Sequence, residues 1–506
     1  MRRRASRQNK DNEESEHQEG SGTRLSDSLE DNIKLLKDVF KNDDTVVLRR
    51  FMNSRDNNIK GCIIFIDGMV DVKVINKSII EPIMTCSLKA EDYELIDIIE
   101  YSVTTACQTK HSDELKKLCD AVIKGSTVLL VDNEPHGLII DTKGYKTKGI
   151  EDVETEKTTK GPKEGFTETL LTNLSMIRRK LNTSDLKFKF MSFGRESETS
   201  ACICYLEGIA EPELIEEVEK RLEKVKLKGV LSTQSIGEMI SDAKLSPFKT
   251  IGDTQKPDVV AANLLEGRVA LLLDGTPSVI TMPYLFMENF QFAEDYYTNY
   301  YVGSLDRILS YLAFFISISL PGVYVAITCF HQEVLATQLF MSVAVARQGI
   351  PFPTSVVTLL LIIVFEILKD ATARVPSYIS QSLTIVGTLI IGQAAVDARL
   401  VGAPTLIIVS VSEISRLLLP KLDNANIILT VILLILSSIL GLYGFTAGII
   451  GLSIHLFSLE SFGRSYLSHV DSYQTSRLKD VYARLPAWEN ASKKNRGGDS
   501  KKNDKQ

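Results

Sequence analysis

The sequence lacks the residue spacings on which catalysis and metal binding depend. Its six histidines are scattered, and no two of them stand four residues apart, as metal ligands on one helical face do. Two short segments combine glycine with lysine, at residues 124–127 and 161–165, but neither has the order of a phosphate-binding P-loop. We therefore predict that the protein is not an enzyme and has no cofactor or metal ion.

A large excess of charge of one sign and a secretory leader are also missing. The formal net charge of -6 gives no basic surface of the kind that binds nucleic acid. Arg2–Arg4 are followed by polar and acidic residues up to Ser28, without the apolar core of a signal peptide. We expect the polar part of the chain to stay on the cytoplasmic side of a membrane.

The seven cysteines include no CxxC pair, and such a set in a long chain suits a reducing compartment. Cys202 and Cys204 are the closest two, and the alternation of a β-strand would place both side chains on one face. Two interpretations stay open for this pair. They are ordinary buried thiols, or a metal-binding or redox pair.

Charged residues are scarce in one long part of the chain. Only twelve Asp, Glu, Lys or Arg residues occur in the 152 residues from Ile308 to Leu459, whereas 24% of the whole sequence is charged. The chain therefore joins a polar half to an apolar half. This division excludes a purely soluble enzyme, a fibrous protein and a small disulfide scaffold.

The polar half has the pattern of an α/β fold. Short runs of Ile, Val and Leu end at Asp-Gly or Asp-Asn pairs, which favour hairpin turns because the second turn residue accepts a positive φ. The run and turn at residues 127–135 match those at residues 269–277, with the turn aspartate and the proline at a constant offset of 142 residues. Two related subdomains are predicted on this basis, with chance similarity as the alternative.

The fold class we predict is an α/β cytoplasmic region of two subdomains followed by an α-helical polytopic membrane domain. Five parts follow in order: a disordered tail at 1–28, α/β subdomains at 29–160 and 161–295, a membrane domain at 296–465, and a cytoplasmic polar tail at 466–506. Basic residues near the span ends favour both termini inside. The predicted apolar spans are Leu309–Phe330, Val356–Leu368, Ile379–Val396, Val401–Leu419 and Ile427–Leu459.

The last of these stretches leaves the number of membrane helices open between four and six. It fits either one kinked helix or two short spans that fold at Gly441 and Gly444. Within the first span, Pro321 is expected to kink the helix.

Aromatic residues cluster immediately before the first apolar span. Amphipathic rings at such a place are typical of a membrane-water interface, and a core-packing helix is the alternative. The predicted interfacial aromatics are Tyr296, Tyr297, Tyr300 and Tyr301.

Polar side chains inside the apolar half are the candidates for function, because they are costly in a membrane and tend to face a bundle interior or a water-filled path. The predicted residues of an ion path or of intramembrane polar contacts are Glu366, Lys369, Asp370, Gln393, Glu413 and Arg416. The first three share one helical face, where Glu366 can pair with Lys369 and Asp370 with Arg374. For Glu413 and Arg416, a structural ion pair and a conduction role are equally compatible with the sequence.

Small residues on the third predicted span indicate close helix packing, because they let two helix backbones approach. The predicted packing residues are Gly387, Gly392, Ala394 and Ala395. A pore lining is the alternative, since tightly packed helices and pore-lining helices use the same small residues.

The segment from Lys256 to Pro277 resembles the segment that precedes the membrane in A-type subunits of the GerA family of bacterial spore germinant receptors. The resemblance covers roughly residues 30 to 490 in order. Further blocks that agree are residues 160–166, 294–297, 349–353, 365–368, 385–387, 391–396 and 461–463.

This resemblance implies a multi-pass protein of the spore inner membrane, with its N-terminal region on the core side. It implies a transporter-like B subunit and a lipoprotein C subunit as partners, and no nucleic acid. It also implies self-association, with a pentamer as the expected assembly, into a ligand-gated cation channel that triggers germination in response to nutrients. Two alternatives stay open: a non-conducting membrane scaffold, and the A-type paralogue that accompanies the calcium-dipicolinate channel.

Overall fold

A computed structural model describes residues 23–54, 59–85, 99–100, 108–144, 156, 160–376, 392–468 and 484. The chain divides into two units, of which the first is mixed α/β and the second is mainly helical. The first unit consists of Met1–Lys157, Pro162–Ile240 and Gly252–Met282, and the second of Thr158–Gly161, Ser241–Ile251 and Pro283–Gln506.

Two antiparallel five-stranded sheets form the first unit, with strand orders β1-β2-β4-β5-β3 and β6-β7-β9-β10-β8. The strands are β1 Val46–Met52, β2 Lys60–Ile66, β3 Thr109–Ser112, β4 Thr127–Val131, β5 Gly137–Ile140, β6 Leu186–Phe193, β7 Thr199–Leu206, β8 Gly252–Thr254, β9 Val269–Leu273 and β10 Val279–Met282. The helices are α1 Leu29–Val39, α2 (Val72–Val74, the π-helical Ile75–Ile80 and Glu81–Thr85), α3 Leu115–Ile123, α4 Leu170–Lys180, α5 Pro212–Glu223, α6 Thr233–Ile240 and α7 Pro257–Leu265.

The two subdomains repeat each other down to single hydrogen bonds. The hairpin β4–β5 occupies the same two places in its sheet as β9–β10 does in the other. Asp132 Oδ1 accepts the backbone N–H of Leu29 at 3.3 Å, and Asp274 Oδ1 accepts that of Leu170 at 2.9 Å. Each turn aspartate therefore satisfies a free N–H in the first turn of the first helix of its subdomain. The two sheets thus have the equivalent strand arrangement that the predicted repeat requires.

The cysteines of the first unit pack as apolar side chains. Cys202 and Cys204 lie in one core cluster, as strand alternation predicts, and both are free and buried together with Cys62 and Cys119. Burial raises the pKa of the Cys62 and Cys119 thiols to about 11, and the pKa of Cys204 well above its ordinary value. The interpretation as ordinary buried thiols is therefore confirmed for this pair.

A buried ion pair joins the two subdomains. Arg178 Nη2 donates to Asp43 Oδ2 at 2.6 Å, and the two side chains are 1% and 0% exposed. Beside it, the N–H of Asp44 donates to the carbonyl of Phe188 at 2.9 Å, and its carboxylate accepts the N–H of Phe190 at 2.8 Å. The loop before β1 thus forms hydrogen bonds with the outer edge of strand β6 in the other subdomain.

The helices of the second unit are α8 Tyr300–Phe330, α9 Thr337–Arg347, α10 Thr354–Arg374, α11 Ala403–Leu417, α12 Asp423–Leu440 and α13 Leu442–Ser458. Within the described part of the chain, two stretches, Tyr300–Phe330 and Pro420–Leu440, are long and apolar enough to cross a membrane. A shorter apolar helix, Leu442–Ser458, follows them. The predicted span Ile379–Val396 lies mostly outside the described residues.

The last predicted apolar stretch, Ile427–Leu459, consists of two helices. Gly441 adopts a φ of 62° between α12 and α13, a value that favours glycine. A Cβ at Gly444 would collide with the carbonyl oxygen of Leu436, so α13 packs directly on α12 at this point. The stretch therefore forms two helices rather than one kinked helix, and their role as two membrane spans stays a prediction.

Removing one partner of the buried ion pair should destabilise the first unit strongly. Arg178→Met is expected to cost about 3–5 kcal/mol, because Asp43 stays buried without its cation, whereas Arg178→Met with Asp43→Leu should recover most of the loss. Urea unfolding followed by pulse proteolysis measures both. Lys189→Met removes an exposed contact to Glu219 of 2.8 Å and should leave the midpoint unchanged. Equal losses of stability in Arg178→Met and Lys189→Met would contradict the stabilising role of the buried ion pair.

Candidate functional site

Five charged side chains from three helices meet in one cluster of the second unit. Arg416 on α11 stands at its centre and is only 3% exposed. Its Nη2 donates to Glu366 on α10 and lies 2.8 Å from Oε2 of Glu413, while its Nε lies 3.3 Å from Oδ1 of Asp423. One guanidinium thus connects carboxylates from all three helices.

Lys369 is the second cation of the cluster. Its Nζ donates to Asp423 Oδ2 at 2.6 Å and lies 2.9 Å from Oε1 of Glu366. Three carboxylates therefore meet two cations, which leaves the cluster with a formal charge of minus one. We call these five residues the charge cluster.

The helix termini favour this placement. Arg416 lies in the last turn of α11, where the carbonyl groups that lack partners attract a cation, and Asp423 lies in the first turn of α12, where the free N–H groups attract an anion. Both ions are therefore stabilised by the helix to which they belong, in addition to their mutual attraction.

Four of the six polar residues predicted from sequence belong to the charge cluster, and two do not. Asp370 lies 4.0 Å from Arg374 in a pair whose side chains are 62% and 81% exposed. Gln393 is exposed on the helical residues 392–397. Asp423 was missed by the sequence analysis, although it was one of the twelve charges in the apolar half and stands at a helix start.

A proline creates a second polar contact among the helices. Pro321 in α8 has no N–H, so the carbonyl of Ser317, four residues earlier, loses its helical donor. Ser412 Oγ on α11 donates to that carbonyl at 2.8 Å, and Thr430 Oγ1 on α12 donates at 3.1 Å. The two hydroxyls satisfy a backbone group that apolar surroundings would otherwise leave unpaired. The sequence identified the proline but not its partners.

Buried polar side chains continue along α12 from the charge cluster. Asn426 follows Asp423 by one turn and precedes Thr430 by one turn, and it is fully buried. Among the described residues, its Oδ1 and Nδ2 have no hydrogen-bond partner. Ser437, further along the same face, is also fully buried. The interior of the helical unit therefore has a polar stripe.

The helix-packing residues predicted from sequence are only partly described. Gly387 lies outside the described residues. At Gly392, a Cβ would lie 3.5 Å from Cδ2 of Leu406 on α11, which places this helix against α11 at ordinary contact distance. Ala394 is exposed and Ala395 is half-buried.

The aromatic cluster before α8 separates into two groups. Phe286 and Phe290 belong to the core cluster of the helical unit and Tyr284 is also buried, so for these three aromatic residues at the start of the group the core-packing alternative is correct. Tyr296, Tyr297 and Tyr301 are exposed and Tyr300 is half-buried. Their position at the start of α8 suits an interface, and the interfacial role stays a prediction.

Comparison with known proteins decides the family. Residues 34–496 match the family model described as Bacillus/Clostridium GerA spore germination protein. The chain belongs to the GerA family. The family predicted from the sequence blocks is therefore confirmed over most of the chain.

Individual relatives of this GerA family member agree with the family match. Spore germination protein KA of Bacillus subtilis (strain 168) is 36% identical over 466 residues, 92% of this chain and 86% of that one. The uncharacterized membrane protein YfkQ of the same strain is 36% identical over 469 residues, 92% and 90% of the two chains. Spore germination protein B1 of that strain is 31% identical over 471 residues, 91% and 95% of the two chains.

A solved structure also matches. It is the N-terminal domain of the A subunit of the Bacillus megaterium spore germinant receptor GerK3, with 30% sequence identity. The match covers 53% of this chain and 99% of that chain, with a TM-score of 0.43.

The central guanidinium should be needed for the stability of the helical unit. Arg416→Gln is expected to lower the melting temperature in detergent by several degrees, because three carboxylates then share one lysine in a largely buried site. Adding Glu413→Gln should restore part of the loss. Arg374→Gln is the matched control and should change nothing, since its side chain is 81% exposed. A melting temperature unaffected by Arg416→Gln would show that the charge cluster does not hold the helices.

Proposed function

We propose that the chain is the A-type subunit of a spore germinant receptor, and that it triggers germination in response to nutrients. The family match carries this proposal, because residues 34–496 include both the α/β unit and the helical unit. Two relatives that match over more than 85% of their own length are spore germination proteins by name, so the whole chain, rather than one unit of it, suits the receptor role.

The helical unit is the proposed membrane domain, which crosses the spore inner membrane several times. Two long apolar helices and the shorter α13 support this assignment, and α10 and α11 supply further apolar segments. The basic residues Lys369, Arg374, Arg416 and Lys421 favour a cytoplasmic N-terminal region by their positions at the span ends.

Cation passage is the proposed activity of the assembled membrane domain. The charge cluster supports it, because a formal charge of minus one among partly buried groups attracts a cation. The polar stripe from Asp423 through Asn426 to Thr430 supports it as well, since such side chains lower the cost of ion or water entry. Nutrient binding to partner subunits would shift a closed oligomer, expected to be a pentamer, toward an open state.

A transporter-like B subunit and a lipoprotein C subunit are the proposed partners. A non-conducting scaffold is the second candidate function, and one observation favours it. Arg416 binds carboxylates on all three helices, so the charge cluster satisfies most of its own charge and needs no ion to do so.

Spores that carry variants of this chain distinguish the two candidates. Glu413→Gln removes one of the three carboxylates, so potassium release after nutrient addition should slow several-fold, while both partners still co-purify with the tagged chain. Glu333→Gln, at an exposed position outside the charge cluster, is the matched control and should behave as wild type.

Deletion of the gene should abolish the response to at least one nutrient. Unchanged responses to all nutrients in the deletion strain would contradict the receptor role. Normal potassium release with Glu413→Gln, in spores that need the chain for their response, would instead favour the scaffold.

A further inference from the structure

The two subdomains can be compared position by position. Cys62 on β2 pairs with Leu130, and Cys202 on β7 pairs with Leu272, at equivalent points of β4 and β9. On the other side of each of these strands, Cys62 pairs with Arg50 and Cys202 pairs with Phe190. Edge strand β1 of the first subdomain therefore corresponds to β6 of the second, with an offset of 140 residues.

The first helices correspond in the same way. Asn32 Nδ2 donates to the carbonyl of Ser26 at 2.6 Å, and Asn173 Nδ2 donates to the carbonyl of Thr167 at 2.6 Å. This fixes the offset between α1 and α4 at 141 residues. Lys37 in the first subdomain is thus the counterpart of Arg178 in the second.

In the second subdomain, the surface made by α4 and β6 is covered. Arg178 and Lys187 are 1% and 3% exposed at their side chains; Asp43 of the loop before β1 pairs with Arg178, and Lys187 Nζ also lies 3.4 Å from Oε2 of Glu207. Lys187 Nζ donates to the carbonyl of Val39 at 3.1 Å, next to the ion pair of Arg178 with Asp43. The contact is heterologous, since a loop of one repeat meets a helix and a strand of the other.

In the described part of the chain, the residues of the equivalent surface made by α1 and β1 in the first subdomain are exposed. Lys37 and Arg50 lie on the α1 side, where Arg50 contacts Glu30 at 2.8 Å, whereas Arg49 lies on the other face of the strand and donates to Asn76 on α2 at 2.9 Å. The loop of the second subdomain that corresponds to the covering loop is residues 182–185. Among the described residues, this loop makes no hydrogen bond or ion pair with the first subdomain, as expected because a heterologous pair leaves one loop and one strand surface unoccupied.

We propose that loop 182–185 of one copy docks on α1 and β1 of a second copy, so that chains associate head to tail through the α/β unit. The charges are complementary: the loop carries the exposed Asp185, whereas the receiving surface carries Lys37 and Arg50. Asp185 is the counterpart of Thr45. The carbonyl of Thr45 accepts the N–H of Asp67, which follows β2, and the carbonyl of Asp185 accepts the N–H of Glu207, which follows β7.

A head-to-tail contact of this kind leaves one loop and one receiving surface free at each end, so it can continue from copy to copy. The contact rests on the repeat alone and does not depend on the proposed membrane location.

Cross-linking of the full chain in detergent tests the contact. In a background with Cys86, Cys107 and Cys329 replaced by serine, Asn182→Cys and Arg49→Cys are prepared in separate copies, mixed and treated with a short bismaleimide. Dimers are expected only from the mixture, and a chain with both cysteines should give a ladder of oligomers. Glu216→Cys, exposed on α5 and outside the loop, replaces Asn182→Cys in the matched control and should give none.

Charge reversal gives an independent readout. Asp185→Lys should reduce dimer yield several-fold, and adding Lys37→Glu and Arg50→Glu to the other copy should restore it. Equal yields from Glu216→Cys and Asn182→Cys would overturn the proposal, as would an absence of dimers. If no dimers form while the purified complex still has the mass of an oligomer and spores respond normally, the contact is wrong and the proposed function stands.

Discussion

A guanidinium in apolar surroundings must have carboxylate partners, and the arrangement of the helical unit depends on this constraint at Arg416. Desolvation of one such ion costs several kcal/mol, roughly the scale of a domain's net stability. Helices α10, α11 and α12 must therefore place Glu366, Glu413 and Asp423 within reach of the same group. A shift of any of these helices along its axis would separate at least one of these pairs, so the charge cluster specifies register as well as contact.

The same rule operates elsewhere in the chain with different groups. At Pro321, the polar group that needs a partner is the carbonyl of Ser317, and hydroxyls from α11 and α12 supply it. In the α/β unit, it is the pair of Arg178 and Asp43 that fixes one subdomain on the other. In each case the apolar packing supplies most of the stabilisation, while a few buried polar contacts decide which elements meet and in what register.

The sequence predicts features that depend on local patterns. The repeated hairpins were visible because a turn aspartate and a proline follow each strand at fixed distances, and Glu366 with Lys369 because residues three apart share a helical face. Asp423 was missed because it meets Lys369 across 54 residues of chain, and no local pattern records that contact. Ser412 and Thr430 were likewise invisible, since a hydroxyl on a helix more often bonds to its own backbone.

Charges on separate helices of the cluster should stabilise the helical unit jointly, and a double-mutant cycle between Lys369 and Asp423 measures this coupling. Stability in detergent would be determined for Lys369→Met, Asp423→Leu and the double variant, with Asp370 and Arg374 as an exposed reference pair. The expected coupling energy is about 1–3 kcal/mol for Lys369 with Asp423 and almost zero for the reference pair. Additive effects at Lys369 and Asp423 would show that the helices are not coupled through these charges.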